Sequence, residues 1–241
     1  MSNIQTKMCF IFLLTAFFAE GQVAKLSSPD TGFLKVKHTA DFEVTGDGTS
    51  AAWNKANWFG LPRRGGAGVN YQTQVKILYS ATGLYCLYKC EDKKITATLQ
   101  EDFADLFRED VVELFIWSDE KIPIYFEYEV SPLNYELPIL VPNIKGNAFG
   151  WRPWHYEGAR RTRHATNIIK KGDTIEGWTA EFFIPFALLK PMINKSPVKG
   201  TRWRANFYRI DYDKQQATWQ WQLVRKTNFH DYNRFGTIVF E

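Results

Sequence analysis

The feature that most constrains the fold is a recurring alternation of short strand-forming runs with turn residues along most of the chain. Aromatic residues make up 16% of the sequence, and with Val and Ile they favour the pleated, half-buried surface of a strand. Clusters of Gly, Pro, Asn and Asp separate the runs. The pattern predicts strands at residues 72–79, 84–91, 110–117, 123–130, 175–183, 202–210, 218–223 and 235–240. Helical turns are predicted only at 99–107 and, after Pro185, at 186–189.

Individual runs indicate how these strands form layers. Residues 111–117 are apolar on both faces apart from one glutamate, as expected of a central strand in a two-layer sandwich. Residues 125–130 alternate instead, so that Glu127 and Glu129 share one face and Phe126 lies on the other. The sequence therefore predicts an all-β fold, an antiparallel β-sandwich with few short helical turns.

The first residues have the pattern of an export signal. Lys7 precedes an apolar run at residues 8–18, which is too short to span a bilayer and ends in small or polar residues. We expect a signal peptide over residues 1–21 and one domain over 22–241, because no linker-like segment divides the remainder. The mature protein is then secreted, periplasmic or at the cell surface, and has no transmembrane segment.

Charge and cysteine content limit the partners and the cross-links. The formal net charge of +4 is compatible with a neutral or an acidic ligand and does not favour nucleic acid. Cys86 and Cys90 fall in one apolar run, and four residues of strand separate them by roughly 13 Å. A disulfide tolerates only about 7 Å between Cα atoms, so both are expected to be free thiols.

Several common catalytic motifs are absent from the sequence. It contains no G-x-S-x-G, H-E-x-x-H, P-loop or dinucleotide-binding motif. The glycine-rich stretch Gly65, Gly66 and Gly68 follows two arginines and precedes a strand, so it lacks the helix N-terminus of a phosphate site. We expect a mobile loop there.

Carboxylates are the strongest candidates for chemistry. Glu127 and Glu129 would lie roughly 6.6 Å apart on one strand face, a spacing that any E-x-E strand provides. They fit a solvated polar face, a catalytic pair of the glycosidase kind or a set of ligand acceptors. Glu113 interrupts an apolar run, so it needs either a ligand or a salt bridge, with Arg204 or Arg209 as possible partners.

A segment that mixes aromatic rings and cations follows. Its members are Trp151, Arg152, Trp154, His155, Tyr156, Arg160, Arg161, Arg163 and His164. Such residues can stack on sugar rings and pair with uronate or sulfate groups. They can equally anchor a loop to the core by their rings while the arginines are solvated.

Residues 107–117, F-R-E-D-V-V-E-L-F-I-W, resemble the signature strand of family 9 carbohydrate-binding modules. Further matches follow in order at 125–130, 177–185, 203–211 and 219–236. The ordered set covers nearly the whole mature chain. The resemblance implies an immunoglobulin-like, DOMON-like sandwich.

The resemblance also implies a sugar site. The two tryptophans that clamp a terminal sugar in the family correspond to Phe107 and Phe229, and its sugar-contacting glutamate corresponds to Glu113. An arginine of the family is replaced by Glu129, which reverses a charge, so the family's ligand preference should not be transferred. Trp151, Trp154 and Arg209 complete our candidate ligand-binding residues.

Family members also hold structural calcium on loop oxygens, and the resemblance makes Asp41, Asp47 and Asp110 possible ligands here. No other cofactor is expected. A haem or redox role would need axial ligands, and Met192 is the only methionine after the signal segment.

Our leading hypothesis is a carbohydrate-binding protein that holds an oligo- or polysaccharide on one sheet face and takes part in polysaccharide degradation or uptake, with polysaccharide-degrading enzymes as partners. The alternative is a glycan-active hydrolase or lyase that uses Glu113, Glu127 or Glu129 together with Arg209 or His155 on the same face.

Overall fold

The computed structural model describes residues 32–241 apart from 191, 194 and 227, so the predicted signal peptide over 1–21 lies outside the described residues. The strands are β1 (Phe33–His38), β2 (Phe59–Gly60), β3 (Arg63–Gly66), β4 (Thr73–Tyr79), β5 (Gly83–Glu91), β6 (Val111–Trp117), β7 (Ile124–Val130), β8 (Glu136–Ile144), β9 (Asn147–Ala148), β10 (Arg152–Pro153), β11 (Arg163–Lys171), β12 (Thr174–Pro185), β13 (Arg202–Asp211), β14 (Ala217–Gln220) and β15 (Gly236–Phe240). All eight predicted strands are present. The all-β prediction is confirmed.

Helical structure in the described part of the chain consists of short 3-10 segments at Ala51–Lys55, Leu106–Arg108, Gly158–Arg160 and Tyr232–Arg234. The helical turn predicted at 99–107 is therefore reduced to the start of the second segment. Residues 186–189 form turns closed by i to i+3 hydrogen bonds, of which Leu189 N to Phe186 O is one, and do not form a helix. No helix among the described residues has the length and apolar character needed to cross a bilayer.

The strands form two packed sheets that share β1. The first has the order β10-β8-β7-β6-β13-β15-β1 and the second β1-β4-β5-β12-β11. The first half of β1 pairs with β15 and its last two residues pair with β4. Both pairings are parallel, whereas the other strand pairs are antiparallel, so the predicted antiparallel sandwich has one parallel strand that joins its layers.

The glycine-rich stretch belongs to a strand, and its expected role as a mobile loop was wrong. β3 pairs with β14, which extends from the end of β13. Gly66 has a φ of +77°, and a Cβ there would lie 1.9 Å from the backbone oxygen of Gln216. Glycine is needed at Gly66 because two backbones approach closely at a positive φ.

The main core lies between the sheets. Val112, Leu114 and Ile116 of β6 face it, as do alternate residues of β5 that include Cys86 and Cys90. Both cysteines are buried free thiols, as predicted. The opposite face of β6 therefore points away from the second sheet and carries Glu113.

A second apolar cluster covers this outer face of the first sheet. It includes Phe115, Tyr125 and Tyr208 from the strands, together with Leu106 and Phe229 from the segments that precede β6 and follow β14. The two segments fold over the sheet and leave a cavity between them, where the glutamates of β6 and β7 are found.

Candidate functional site

The cavity has a volume of about 450 Å³. Its lining residues are Phe107, Arg108, Glu113, Phe115, Glu127, Glu129, Ile139, Trp151, Ile210, Tyr212, Gln216, Asn228, Phe229 and His230. Five of the seven residues predicted to bind ligand are brought together here, and Trp154 and Arg209 are not. The volume falls within the range of small-molecule sites.

A larger groove of about 750 Å³ lies beside the second sheet, and its two arginines already have partners. Arg161 pairs with Glu157 at 3.2 Å, and the guanidinium of Arg163 lies over the ring of Phe183. Among the described residues, none that lines this groove has a buried polar atom without a partner. The smaller cavity is therefore the better candidate for a ligand site.

Strand register places three glutamates side by side. Glu113 of β6 lies opposite Glu129 of β7, and Phe115 lies opposite Glu127. Residues directly opposite each other in an antiparallel pair have Cβ atoms about 5 Å apart, and residues two apart on one strand lie on the same face. The three carboxyl groups thus form one acidic cluster on the floor of the cavity.

These carboxyl groups are buried, so the solvated polar face considered for Glu127 and Glu129 was wrong. The relative exposures of Glu113, Glu127 and Glu129 are 2%, 4% and 0%. Both side-chain oxygens of Glu129 and Oε2 of Glu127 have no hydrogen-bonding partner among the described residues. A buried acceptor without a partner costs about 1–3 kcal/mol, and more when charged. The cluster is costly unless something else supplies donors.

Burial also changes the acidity of the cluster. It raises the pKa of Glu113, Glu127 and Glu129 well above the ordinary value, because the charged form loses its hydration. The charge of a neighbouring glutamate raises each pKa further: Glu129 acts on Glu113, Glu113 on Glu127, and Glu127 on Glu129. Smaller effects oppose this, since the side chain of Glu129 lowers the pKa of Glu127 and the backbone of Phe107 lowers that of Glu129. Burial in the cavity therefore favours protonated carboxyl groups.

His230 does not neutralise these charges. Its Nδ1 lies 3.7 Å from Oε2 of Glu127 and shares a hydrogen bond with the hydroxyl of Tyr125. Burial, followed by the charge of Lys226, lowers the pKa of His230 to about 4. The imidazole is neutral at pH 7, so its contact with Glu127 is a polar contact and not an ion pair.

Among the residues that the structure describes, Arg108 is the only cationic side chain that lines the cavity at neutral pH, and it lies at the rim. It is exposed and pairs with Asp105 at 2.9 Å. Its guanidinium also lies 5.5 Å from the centre of the Phe107 ring. Within the described part of the chain, no cationic side chain therefore lies beside the acidic cluster on the floor.

Aromatic rings form the walls. Phe229 stacks on Tyr208 with ring centres 4.2 Å apart and an angle of 7° between the planes. This stacking covers one face of the Phe229 ring. Phe229 has a φ of +63°, a conformation that costs a bulky residue about 1–3 kcal/mol and occurs at ligand clamps. Phe107 and Trp151 line the same cavity.

Arg209, which was predicted to bind ligand, does not line this cavity. Tyr208 and Ile210 of β13 face the outer cluster, and the alternation of the strand turns Arg209 to the space between the sheets. Its guanidinium pairs with Asp92 at 3.1 Å and Asp211 at 2.6 Å. This excludes the salt bridge to Glu113 that was considered.

Arg204, the other partner considered for Glu113, pairs with Glu120 at 2.7 Å. Trp154 also lies outside the cavity. Its indole Nε1 donates to the carbonyl oxygen of Leu188 at 2.8 Å and its ring packs against the core between the sheets. Of the two tryptophans predicted to bind ligand in the aromatic and basic segment, only Trp151 reaches the cavity.

The predicted calcium ligands do not converge. Asp41 accepts hydrogen bonds from the hydroxyls of Thr82 and Tyr85, and Asp47 accepts from Thr45 and Thr49 in its own loop. The contacts of Asp47 are local to its loop, whereas those of Asp41 join it to β5 and the turn before it. The structure does not bring Asp41, Asp47 and Asp110 together in one cluster, and their role as calcium ligands stays a prediction.

Asp110 does join a triad, with Asp92 and Asp211, whose oxygens lie within 4.8 Å of one another. Each carboxylate oxygen of the triad already accepts a hydrogen bond, and the guanidinium of Arg209 supplies the positive charge. The donor set does not fit a calcium ion, because an arginine serves in its place.

Tyr212, Gln216, Asn228 and His230 also line the cavity and were not predicted. A signal was available for two of them. Asn228 and His230 flank Phe229 in sequence, so a site that includes Phe229 makes its two neighbours candidates as well. Tyr212 and Gln216 lie between β13 and β14, where no strand periodicity predicts which way a side chain points.

The comparisons with known proteins agree with this architecture. The family model described as "Carbohydrate family 9 binding domain-like" matches residues 44–241. None of the curated protein sequences matches the chain.

Solved structures share the fold at low sequence identity. A protein from Bacteroides uniformis ATCC 8492, whose carbohydrate-binding role is itself an inference, is 15% identical with a TM-score of 0.72, and the match covers 88% of this chain and 100% of that one. A family 9 carbohydrate-binding module from Caldicellulosiruptor kristjanssonii in complex with cellotriose is 17% identical, with a TM-score of 0.63 and coverages of 87% and 94%. The module from the same organism in complex with glucose is 17% identical, with a TM-score of 0.61 and coverages of 86% and 96%.

Proposed function

Because this chain belongs to the carbohydrate family 9 binding domain-like family, we propose that it binds a sugar or oligosaccharide in the cavity on the outer face of its first sheet. The observation that carries the proposal is the combination of aromatic walls with buried carboxyl oxygens that have no partner. A pyranose supplies what both need, since its C–H faces pack on rings and its hydroxyls donate hydrogen bonds.

The similar modules support the class of ligand. Those proteins are in complex with cellotriose and with glucose, and they share the fold of this chain. Their identity to this chain is 17%, so the particular sugar and its linkage are not carried over.

Substitution of the aromatic walls tests the site. We expect Phe107→Ala and Phe229→Ala each to weaken sugar binding by roughly 1–3 kcal/mol, the range of losses when a stacking ring is removed. Calorimetry of the protein against neutral and acidic oligosaccharides measures the effect. Phe33→Ala, an exposed aromatic of β1, is the matched control and should bind as the unchanged protein does.

If both cavity variants kept full affinity, the site would lie elsewhere and the proposal for this cavity would fail. Circular dichroism and the unfolding midpoint of Phe229→Ala should be recorded beside its affinity. The loss of stacking on Tyr208 destabilises that variant, and only binding by folded protein is informative.

A second function is favoured by the acidic cluster. Carboxyl groups with a raised pKa in a partly closed cavity can act as general acids, and a charged neighbour can act as base or nucleophile. The alternative of a glycan-active hydrolase or lyase therefore stands beside the binding role. Mass spectrometry of the same sugar mixtures tests it, because new products that disappear in Glu113→Gln or Glu129→Gln would make the chain an enzyme.

We further propose that the protein acts outside the cytoplasm in polysaccharide degradation or uptake, together with degrading enzymes. The pattern of residues 1–21 supports export. Expression of the full chain in a secreting bacterial host, followed by mass measurement, should give a product that begins at residue 22. A cell-associated product of full mass would contradict export.

A further inference from the structure

The acidic cluster of Glu113, Glu127 and Glu129 lies on the floor of the cavity. Among the described residues that line it, none places a positive charge in the interior. Arg108 lies exposed at the rim in its pair with Asp105, and His230 is held neutral by burial. Three carboxyl groups therefore face the same space, and burial without a cation beside them favours their protonated form.

Another buried group of acidic residues in this chain is neutralised by an arginine. Asp92 and Asp211 share the guanidinium of Arg209, and the six oxygens of their triad with Asp110 all accept hydrogen bonds. In the cavity, by contrast, three of the oxygens of Glu127 and Glu129 accept none. Buried charges are normally paired, so a cationic ligand would supply the partner that allows these carboxyl groups to ionise.

A bare metal ion fits the cavity less well than an organic cation. The triad of Asp92, Asp110 and Asp211 is the only group of three acidic, His or Cys residues in the described chain whose ligand atoms lie within 4.8 Å of one another, so the glutamates do not converge to that extent. Phe107, Trp151 and Phe229 provide ring surface that a metal ion would not use. The cavity volume of about 450 Å³ admits a ligand of at least monosaccharide size.

We propose that the cavity binds a sugar that carries a protonated amine, such as a 2-amino-2-deoxyhexose unit, with the ammonium group held by Glu113, Glu127 and Glu129 and the ring against the aromatic walls. This inference rests on the proposed sugar-binding function and deepens it. An ammonium group has three donors and no acceptor, and ionised carboxyl groups only accept. The ammonium donors need reach only the nearest carboxyl oxygens, and the remaining carboxyl group adds negative charge close by.

Binding of an ammonium group should displace protons. Burial raises the pKa of each glutamate in the empty cavity, and a cation among them favours the ionised form. The other titratable or charged groups near the cluster are Asp105, Arg108, Tyr125, Tyr208, Tyr212 and His230. Calorimetry at pH 6.5 in two buffers of different ionisation heat should therefore report proton release with the amine sugar.

The test compares three β-1,4-linked trimers that differ only at carbon 2: the glucosamine trimer with an amine, its fully N-acetylated form with an acetamide, and cellotriose with a hydroxyl. We expect the amine trimer to bind at least tenfold more tightly than either of the others at low salt. Glu113→Gln, Glu127→Gln and Glu129→Gln should each reduce that preference by about tenfold. Glu157→Gln, an exposed glutamate outside the cavity, should leave it unchanged.

The outcomes separate the two proposals. Binding of cellotriose or the acetylated trimer with equal or greater affinity would overturn the amine preference and leave sugar binding in place. An amine preference that the glutamine variants retain would overturn the role of the cluster. Failure of all three trimers, and of the neutral and acidic panel, would overturn sugar binding itself. Circular dichroism of each variant confirms that it is folded.

Discussion

Glu129 is the residue of the site whose ionisation should cost the most stability. It is fully buried, neither of its carboxylate oxygens has a hydrogen-bonding partner among the described residues, and Glu127 lies close enough to raise its pKa. A group of this kind reduces stability whenever it must ionise. Such a residue is understandable where a ligand compensates for the cost.

The pH dependence of stability should reveal this cost. The pKa of Glu129 in the folded protein is raised above its ordinary value of 4.5, so above about that pH the folded state binds more protons than the unfolded state. Stability therefore falls as the pH rises from about 4.5 towards the folded pKa. Glu129→Gln cannot ionise and should be more stable than the unchanged protein by at least about 1 kcal/mol at pH 8, since one pKa unit corresponds to about 1.4 kcal/mol.

Urea unfolding at pH 4 and pH 8 measures this difference in stability. It should be small at pH 4, because the carboxyl group of Glu129 is then mostly protonated in both the folded and the unfolded state. Glu157→Gln removes a charge from an exposed position and should show little difference at either pH. An equal effect of Glu129→Gln at the two pH values would mean that Glu129 ionises normally in the folded protein.

At the residue scale, the sequence was informative where a charged residue interrupts an apolar run. Glu113 interrupts an apolar run, so its need for a partner or a ligand could be stated in advance. Alternation placed Glu127 and Glu129 on one face, but alternation cannot say whether a face is covered. The segments that bury them, which contain Phe107 and Phe229, are distant in sequence, and only the folded chain brings them over the sheet.

At the scale of elements, strands with strong β-branched and aromatic patterns were predicted to within a few residues, whereas β8 was missed. Its prolines, Pro138 and Pro142, argue against a strand because proline has no amide hydrogen. The structure accommodates them near the edge of the first sheet. Their carbonyl oxygens accept hydrogen bonds from the amides of Trp154 and Phe149 at 2.8 and 2.9 Å.

The pairing of β3 with β14 depends on one glycine. In Gly66→Ala, the added Cβ would meet the backbone oxygen of Gln216 and the residue would be strained at its positive φ. We expect destabilisation of more than about 1 kcal/mol and an unfolding midpoint lower by several degrees, measured by thermal unfolding. Because Gln216 lines the cavity, sugar affinity should fall as well.

Gly60→Ala in β2 is the matched control. The nearest atom to its added Cβ is 4.0 Å away, so it should change neither the midpoint nor the affinity. If Gly66→Ala behaved like this control, the close approach of β3 to β14 would be relieved without cost and would have no bearing on the cavity.

At the scale of the whole molecule, the ordered resemblance of five segments predicted the sandwich correctly, and the family match over residues 44–241 agrees with it. The feature that no local pattern indicated is the way β1 closes the molecule. A strand that pairs with β15 in one sheet and β4 in the other is defined by contacts of long sequence separation, which periodicity does not encode.

Removal of β1 should affect both sheets together. A chain that begins at residue 39 exposes the edges of β15 and β4, and unpaired edges promote association. We expect loss of a single cooperative unfolding transition in urea, followed by tryptophan fluorescence, and an increase in aggregation. A chain that begins at residue 32 keeps β1 and serves as the control. Normal unfolding of the shorter chain would show that the two layers hold together without their shared strand.

The two thiols between the sheets carry a practical consequence. Only a thiolate reacts readily with alkylating reagents, and burial raises the pKa of Cys86 well above its usual range and that of Cys90 to about 12. Neither can be modified while the layers are closed. In the chain without residues 1–21 these are the only cysteines. The rate of their alkylation, followed by mass spectrometry, would therefore report how often the two sheets separate. Repeating the measurement with a bound sugar would show whether the ligand slows that opening.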